Sequence, residues 1–134
     1  MSSPSSGKDV LSLVDKEKVR FVNLQFTDVL GVVKSVTIPS SQLDDCITHG
    51  KWFDGSSIEG FARVAESDMY LMPDLSTFAV IPWERGENTT ARVICNVYTP
   101  DGQVFEGDPR RVLARNLDDA AKLGYGFHTG PELE

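Results

Sequence analysis

Hydrophobic and polar residues alternate with a period of two along three stretches of the chain, which predicts three β-strands. The stretches are 19–26, 32–38 and 91–98. The segment between the first two is short and ends in Gly31, so these two strands are expected to form a hairpin. Two shorter strands are predicted on either side of a break at Pro73-Asp74. These two segments are 68–72 and 78–81.

Apolar residues at helical spacing predict three helices. The first covers 8–16. The second is expected to open with a capping box formed by Ser41 and Asp44 and to stop at Gly50. The third starts at Asp108-Pro109, with aspartate as the cap and proline at the first helical position, and ends at Gly124. Residues 125–134 are then predicted to form a strand.

The order strand, strand, helix and further strands predicts an α+β fold in which a small sheet wraps on one helix, and a β-grasp-like arrangement is the simplest such fold. Three regions are expected. Residues 1–18 form a disordered tail and a short helix, 19–106 form the β-grasp-like domain, and 107–134 begin a second domain that is cut off almost at once. The change of pattern to helix followed by strand places the boundary near Gly107.

Composition and charge make several classes of function improbable for this chain. The chain has 134 residues, which suits one hydrophobic core of ordinary size, and a net charge of −7, which disfavours nucleic acid as a partner. A membrane span needs a run of about 18 apolar residues, and the sequence has none. The amino terminus also lacks the apolar segment of a signal peptide, so a cytoplasmic protein is expected. Cys46 and Cys95 form no CxxC pair and are expected to be reduced and buried.

The stretch 52–74, WFDGSSIEGFARVAESDMYLMPD, is expected to be a long loop that mixes acidic and aromatic residues. Such loops often carry binding or catalytic groups. A loop packed by its own aromatic side chains is the alternative. Taken alone, Asp54-Gly55 is explained by turn chemistry. Trp52 and Trp83 are interpreted as packing residues rather than as stacking platforms for a ligand.

Two glutamates near the end of the chain form the sharpest candidate pair. In a strand, Glu132 and Glu134 would point to one face about 7 Å apart, a spacing at which carboxylates can hold hard cations. On spacing alone, a solvated strand end is the better explanation of the pair.

Several blocks occur together in one order: LQFTDVLGVVKSVTIP, FDGSSIEGF-R, ESDMYLMPD, PWERG, NVYTPDGQVFEGDPR and GPELE. In these blocks the chain resembles the amino-terminal part of a bacterial or archaeal type I glutamine synthetase. IEGFAR matches the Gram-positive-like branch of that family. The resemblance covers 19–134, and it implies a β-grasp-like domain followed by the truncated start of the catalytic α/β domain.

The resemblance also implies roles for four residues. Asp54 would belong to an ammonium site and reach the active site of the adjacent subunit. Glu132 and Glu134 would each bind one of two Mg²⁺ or Mn²⁺ ions, with the remaining metal ligands elsewhere in the family's longer subunit. Arg63 would lie near the active site and take part in feedback inhibition by glutamine. Glu66 and Asp68 match a family block, for which a loop-fixing hydrogen-bond role is the simplest reading.

The implied activity is ATP-dependent ligation of ammonia to glutamate through γ-glutamyl phosphate, by a homo-oligomer of stacked hexameric rings. This chain alone is expected to be inactive. The alternative is a non-catalytic β-grasp module that binds a partner or docks onto intact synthetase subunits. Such a module should end after a complete helix or strand, whereas this chain ends inside a predicted strand.

Overall fold

One mixed sheet of five strands organises the fold. The computed structural model describes residues 4, 6–58 and 68–132. The strands in this part are β1 (Phe21–Thr27), β2 (Val33–Pro39), β3 (Lys51–Asp54), β4 (Asp68–Val80) and β5 (Thr90–Tyr98). Their order in the sheet is β2-β1-β5-β4-β3. The β1–β5 pair is parallel and the other pairs are antiparallel, so the first and last strands in sequence lie side by side at the centre. The helices are α1 (Gly7–Glu17), α2 (Leu43–His49) and α3 (Pro109–Lys122).

The core lies between one face of this sheet and two helices. Side chains of β1 alternate between buried and half-buried, and those of β5 do the same from Ala91 onward. Helix α1 contributes Val10 and Val14 to the same cluster, and α2 contributes Leu43 and Cys46. The predicted α+β, β-grasp-like class is therefore confirmed, as is the alternation read from the sequence. Among the described residues, none of the helices has the length and apolar character of a membrane-spanning segment.

The β1–β2 hairpin is closed by a buried carboxylate. Asp28 is 2% exposed. One of its oxygens accepts hydrogen bonds from the backbone N–H groups of Leu30 and Val32, and the other lies 3.5 Å from the Lys34 ammonium. Gly31 has φ of 82°, a conformation that glycine adopts without a steric penalty. The predicted hairpin is confirmed, with this aspartate as its organising residue.

Two local predictions are wrong. Ser41 does not cap α2, because a 3-10 helix at Ser40–Gln42 leads directly into that helix, whose N-cap Gln42 makes no side-chain capping bond. Residues 125–132, the described part of the predicted last strand, are irregular, and Tyr125 and Phe127 are 70% and 62% exposed. Gly50, at φ 77°, does stop α2 as expected.

The break predicted at Pro73 is also wrong, because β4 continues through it. Pro73 faces Cys95 in the β4–β5 ladder, and the register shifts only between Asp74 and Ala79. Within this bulge the Thr77 hydroxyl oxygen accepts a hydrogen bond from the backbone N–H of Ile94 at 2.8 Å. A side chain therefore links β4 to β5 across the bulge, and β4 runs from Asp68 to Val80.

Helix α3 is attached to the sheet through its first turn. Asp108, which is completely buried, accepts hydrogen bonds from the backbone N–H groups of Val97 and Arg110. The Arg110 guanidinium donates to Asn96 and forms an ion pair with Asp74. The predicted aspartate cap and first-turn proline are confirmed. The apolar stripe of α3 is present but exposed, unlike those of α1 and α2.

Candidate functional site

Asp54 lies where an edge strand ends. It is the last residue of β3 and the N-cap of a 3-10 helix, Gly55–Ser57. One carboxylate oxygen accepts two hydrogen bonds from Ser56, at 2.9 Å from the backbone nitrogen and 2.6 Å from the hydroxyl. These bonds, above all the one from the hydroxyl, lower the pKa of Asp54 below its usual value. The result is an exposed carboxylate that stays ionised at neutral pH in a fixed orientation.

A second carboxylate lies directly across the ladder. Asp54 and Asp68 are partners in the β3–β4 register, and both are exposed. Side chains at directly opposite positions share one face of the sheet with Cβ atoms about 5 Å apart. Two negative charges therefore converge at one edge of the sheet, an arrangement that favours a bound cation.

The short strand β3 is packed on both faces. The Trp52 ring packs against the ring of Tyr70, its partner in β4, at a tilt of 43° and with ring centroids 3.7 Å apart. On the opposite face, the Phe53 ring lies 4.9 Å from the Phe26 ring of β1. Trp52 is therefore a packing residue, as expected. These contacts hold the strand, and with it Asp54, in place.

The long loop predicted for 52–74 is shorter than expected, because its two ends pair with each other as β3 and the start of β4. Trp52, Phe53 and Asp54 are strand residues. The pairing partner Asp68 was missed as a site residue for this reason. The alternation of half-buried and exposed positions along KWFD exists only in the folded strand. In the sequence Trp52 and Phe53 are adjacent, so no alternation indicated a strand there.

Of the other predicted site residues, the structure describes Glu132. Glu132 is exposed and lies in irregular chain beyond α3. Arg63, Glu66 and Glu134 lie outside the described residues. Among the side chains that the structure does describe, no group of three or more His, Cys, Asp or Glu could hold a metal ion. The described carboxylates therefore do not fit a divalent metal by themselves.

Two further expectations concern cysteine and tryptophan. Cys46 and Cys95 are both buried free thiols, as predicted. Burial raises the pKa of Cys46 to about 11 and raises that of Cys95 further, so both stay protonated. Trp83, interpreted as a packing residue, is instead 81% exposed, which overturns that interpretation.

A pocket of about 450 Å³ lies near the Trp52–Tyr70 contact but does not include Asp54 among its lining residues. His49, Tyr70, Met72 and Tyr98 form much of its wall. This pocket is therefore separate from the carboxylate pair.

Comparisons with known proteins agree on one family. The family described as "Glutamine synthetase, beta-Grasp domain" matches residues 18–100. A glutamine synthetase of Staphylococcus aureus (strain Mu50 / ATCC 700699) is 50% identical over 128 residues, which cover 95% of this chain and 29% of that protein. A glutamine synthetase of Clostridium saccharobutylicum is 49% identical over 127 residues, with the same coverage of 95% and 29%. The chain thus spans less than a third of the curated relatives that it matches.

Solved structures share the fold. A Plasmodium falciparum glutamine synthetase superposes with a TM-score of 0.80 at 21% identity, over 91% of this chain and 24% of that one. A structure described as a GmaS/ADP complex superposes with a TM-score of 0.76 at 24% identity, over 85% of this chain and 26% of that one. At these identities the likeness supports the fold alone.

Proposed function

The chain belongs to the glutamine synthetase family through its β-grasp domain, and on that premise we propose that it forms the amino-terminal part of an enzyme that ligates ammonia to glutamate. ATP would be the co-substrate and γ-glutamyl phosphate the intermediate. The observation that carries the proposal is 50% identity to a glutamine synthetase across 95% of the chain. Because the chain covers 29% of that relative, catalysis is proposed for a longer subunit and not for this chain alone.

Asp54 would bind ammonium in the active site of the neighbouring subunit. Ammonium offers four N–H donors and one positive charge, and an ionised carboxylate accepts such donors strongly. The two bonds from Ser56 occupy one carboxylate oxygen of Asp54 and lower its pKa. A carboxylate of low pKa is a weak base, so it attracts the cation more effectively than it removes a proton. Binding and orienting ammonium is therefore its main role, and accepting the proton is secondary.

Asp68 would add to the negative potential at the same place, because it lies opposite Asp54 in the ladder. Two like charges on directly opposite positions repel each other. A cation between or beside them offsets this repulsion. Substrate ammonium would thus bind where two carboxylates lie on one face of the sheet.

The remaining roles rest on family membership. Glu132 and Glu134 are proposed as ligands of two Mg²⁺ or Mn²⁺ ions, in a site that needs further ligands from outside the described residues. Arg63 is proposed as a regulatory residue in feedback inhibition by glutamine. Assembly into stacked hexameric rings would bring Asp54 to its neighbour. The exposed apolar stripe of α3 supports burial of this helix in a larger assembly.

A non-catalytic module that docks onto intact synthetase subunits is the second candidate. The same exposed stripe of α3 favours it, because an unfilled apolar face can dock onto a partner. Leu113 and Leu123, at 54% and 75% exposure, are its most exposed leucines and the natural positions for substitution.

A chimaera separates the two candidates. Residues 7–132 of this chain would replace the equivalent region of the Staphylococcus aureus relative, which is 50% identical. We expect the chimaera to assemble and to form glutamine from glutamate, ammonium and ATP, whereas the chain alone forms none. An assembled chimaera that is inactive, together with stable binding of the separate chain to intact synthetase, would favour the docking module.

A further inference from the structure

A second pocket lies at the other end of β4 from Asp68. It has a volume of about 290 Å³ and is lined by the end of β4, the turn that follows it, and side chains of β1 and β5. Gln25 and Arg92 form its polar part, and Ala79, Pro82 and Trp83 form its apolar part. Tyr70 and Ala79 of β4 face Tyr98 and Arg92 of β5, which are six positions apart. At about 3.3 Å per residue the pocket therefore lies roughly 20 Å or more from the carboxylate pair. The pocket is thus independent of the proposed ammonium site.

Trp83 gives the pocket an open aromatic wall. At 81% exposure it is the most exposed of the large apolar side chains in the described residues. It follows Pro82, whose ring fixes the backbone at the start of the turn. An indole that borders a pocket offers a flat face for stacking against another ring.

Arg92 gives the same pocket a positive charge. One guanidinium nitrogen donates to the Thr77 carbonyl oxygen at 3.1 Å, which anchors the side chain beside the β4 bulge. In the described part of the chain, no aspartate or glutamate oxygen lies within 4.0 Å of Arg92. Arg85 and Arg110 are paired with Glu17 and Asp74 respectively. Arg92 is therefore a fixed, half-buried guanidinium whose charge is available to a ligand, in a chain of net charge −7.

We propose that this pocket binds a small anion that carries a planar ring, with the ring against Trp83 and its carboxylate or phosphate group on Arg92. Guanidinium groups bind both kinds of anion through paired hydrogen bonds. Gln25 adds an amide that can donate a further hydrogen bond to the ligand. The volume of 290 Å³ is sufficient for one or two fused rings and excludes a large ligand.

The two tryptophans of the chain make the test direct. Each gives one indole N–H signal in a nitrogen-15 correlation spectrum, so Trp52 serves as the internal control for Trp83. Indole-3-acetate and 1-naphthyl phosphate are the two anionic probes, and indole-3-acetamide is the matched neutral probe. We expect saturable shifts of the Trp83 signal with an anionic probe, at a Kd on the order of 1 mM for so small a ligand. The Trp52 signal should not move.

Substitutions then test whether Arg92 binds the anionic group of the probe. Arg92→Gln should weaken binding of the anionic probe about tenfold, and Arg85→Gln, a control in the same β4–β5 connection, should leave it unchanged. Trp83→Ala lacks the reporting indole, so binding is read there from the backbone amide signals of the pocket residues, which should no longer shift with the anionic probe. The exposed position leaves the fold intact, which the rest of the spectrum verifies. Equal shifts with the acetamide and the acetate, or no shift with either anion, would overturn the proposal. So would a Trp83 signal that moves with protein concentration alone, since that pattern identifies a contact between copies of the chain.

Discussion

Asp54 and Asp68 face each other as partners in the β3–β4 ladder, each at the end of its strand. The four residues of β3 would be a weak edge strand without the contacts of Trp52 with Tyr70 and of Phe53 with Phe26. A hydrophobic arrangement therefore holds two exposed charges together at one edge of the sheet. This relationship connects the packing of the β-grasp domain to its proposed part in binding ammonium.

Removing the Ser56 hydroxyl should raise the pKa of Asp54. The hydroxyl supplies the largest of the causes that lower this pKa, while the backbone N–H bond of Ser56 stays in place. Because the folded pKa is below the usual 3.8, Asp54 stabilises the fold above that pH, and its contribution is lost as the pH falls through the folded value. Carbon-detected NMR titration of the Asp54 carboxyl should give a midpoint below 3.8 in the original chain and a higher one in Ser56→Ala.

Asp108→Ala should destabilise the fold by about 2–4 kcal/mol. The change removes a helix cap, worth about 1 kcal/mol, and leaves the buried N–H of Val97 without its acceptor, which costs about 1–3 kcal/mol. Urea unfolding measures the difference. Asp118→Ala, on the exposed surface of the same helix, is the control and should change the free energy of unfolding by less than about 0.5 kcal/mol.

The contribution of Asp108 to the stability of the fold should also depend on pH. Burial raises the folded pKa of Asp108 above its usual 3.8. A raised carboxyl pKa means that the native state binds more protons than the unfolded state, so this contribution to stability is greatest below pH 3.8 and falls as the pH rises through the folded value. The stability difference between the original chain and Asp108→Ala should therefore shrink from acid towards neutral pH. A difference that grows over this range would contradict the raised pKa.

Trp52→Ala should cost about 1–3 kcal/mol of stability and should loosen β3. The aromatic contact with Tyr70 contributes about 0.5–1.5 kcal/mol beyond the buried area of the ring. Hydrogen exchange should therefore accelerate at the amides of β3 and of its partner residues in β4. Trp83→Ala is the matched control, because its ring is 81% exposed, and should change stability by less than about 0.5 kcal/mol.

Both cysteines should resist thiol reagents in the folded chain. Cys46 and Cys95 are buried, and burial raises the pKa of each thiol, so reactive thiolate is scarce at neutral pH. A chromogenic disulfide reagent should report no fast-reacting thiol before denaturant is added and two afterwards. A fast thiol in the native chain would show that this part of the core opens.

Sequence patterns predicted the elements whose side chains meet the core on one face only. Strands β1 and β5 alternate cleanly because helices cover one face of the sheet and leave the other open. The cap of α3 at Asp108 and the end of α2 at Gly50 could also be predicted from the sequence, because each depends on a single residue type at one backbone position.

The errors occur where distant contacts override local signals. Pro73 indicated a strand break, but it pairs with Cys95 in the regular part of the β4–β5 ladder. Beyond it, Thr77 bridges the bulge by a hydrogen bond to Ile94. The aromatic residues of 125–132 resembled a strand, but a strand needs a partner, and these described residues pair with none of the sheet. The residues Trp52–Asp54 were read as loop because their pairing partner lies more than a dozen residues away.

The candidate site was predicted in part. Asp54 was identified by resemblance, since its local sequence indicates only a turn. Its partner Asp68 became visible once the β3–β4 pairing was known. The exposure of Trp83 could not be read from the sequence either, because an isolated tryptophan in a turn fits packing and exposure equally well.

The Michaelis constant for ammonium in the chimaeric enzyme tests the central claim most directly. Asp54→Asn keeps the shape of the side chain and its acceptor for Ser56 while removing the charge that would hold the cation. We expect Asp54→Asn to raise the KM for ammonium about tenfold or more, with the KM values for glutamate and ATP changed little. Asp44→Asn, which neutralises an exposed carboxylate on α2, should leave all three constants unchanged. An Asp54→Asn enzyme that is assembled and retains the original KM for ammonium would contradict the proposed role.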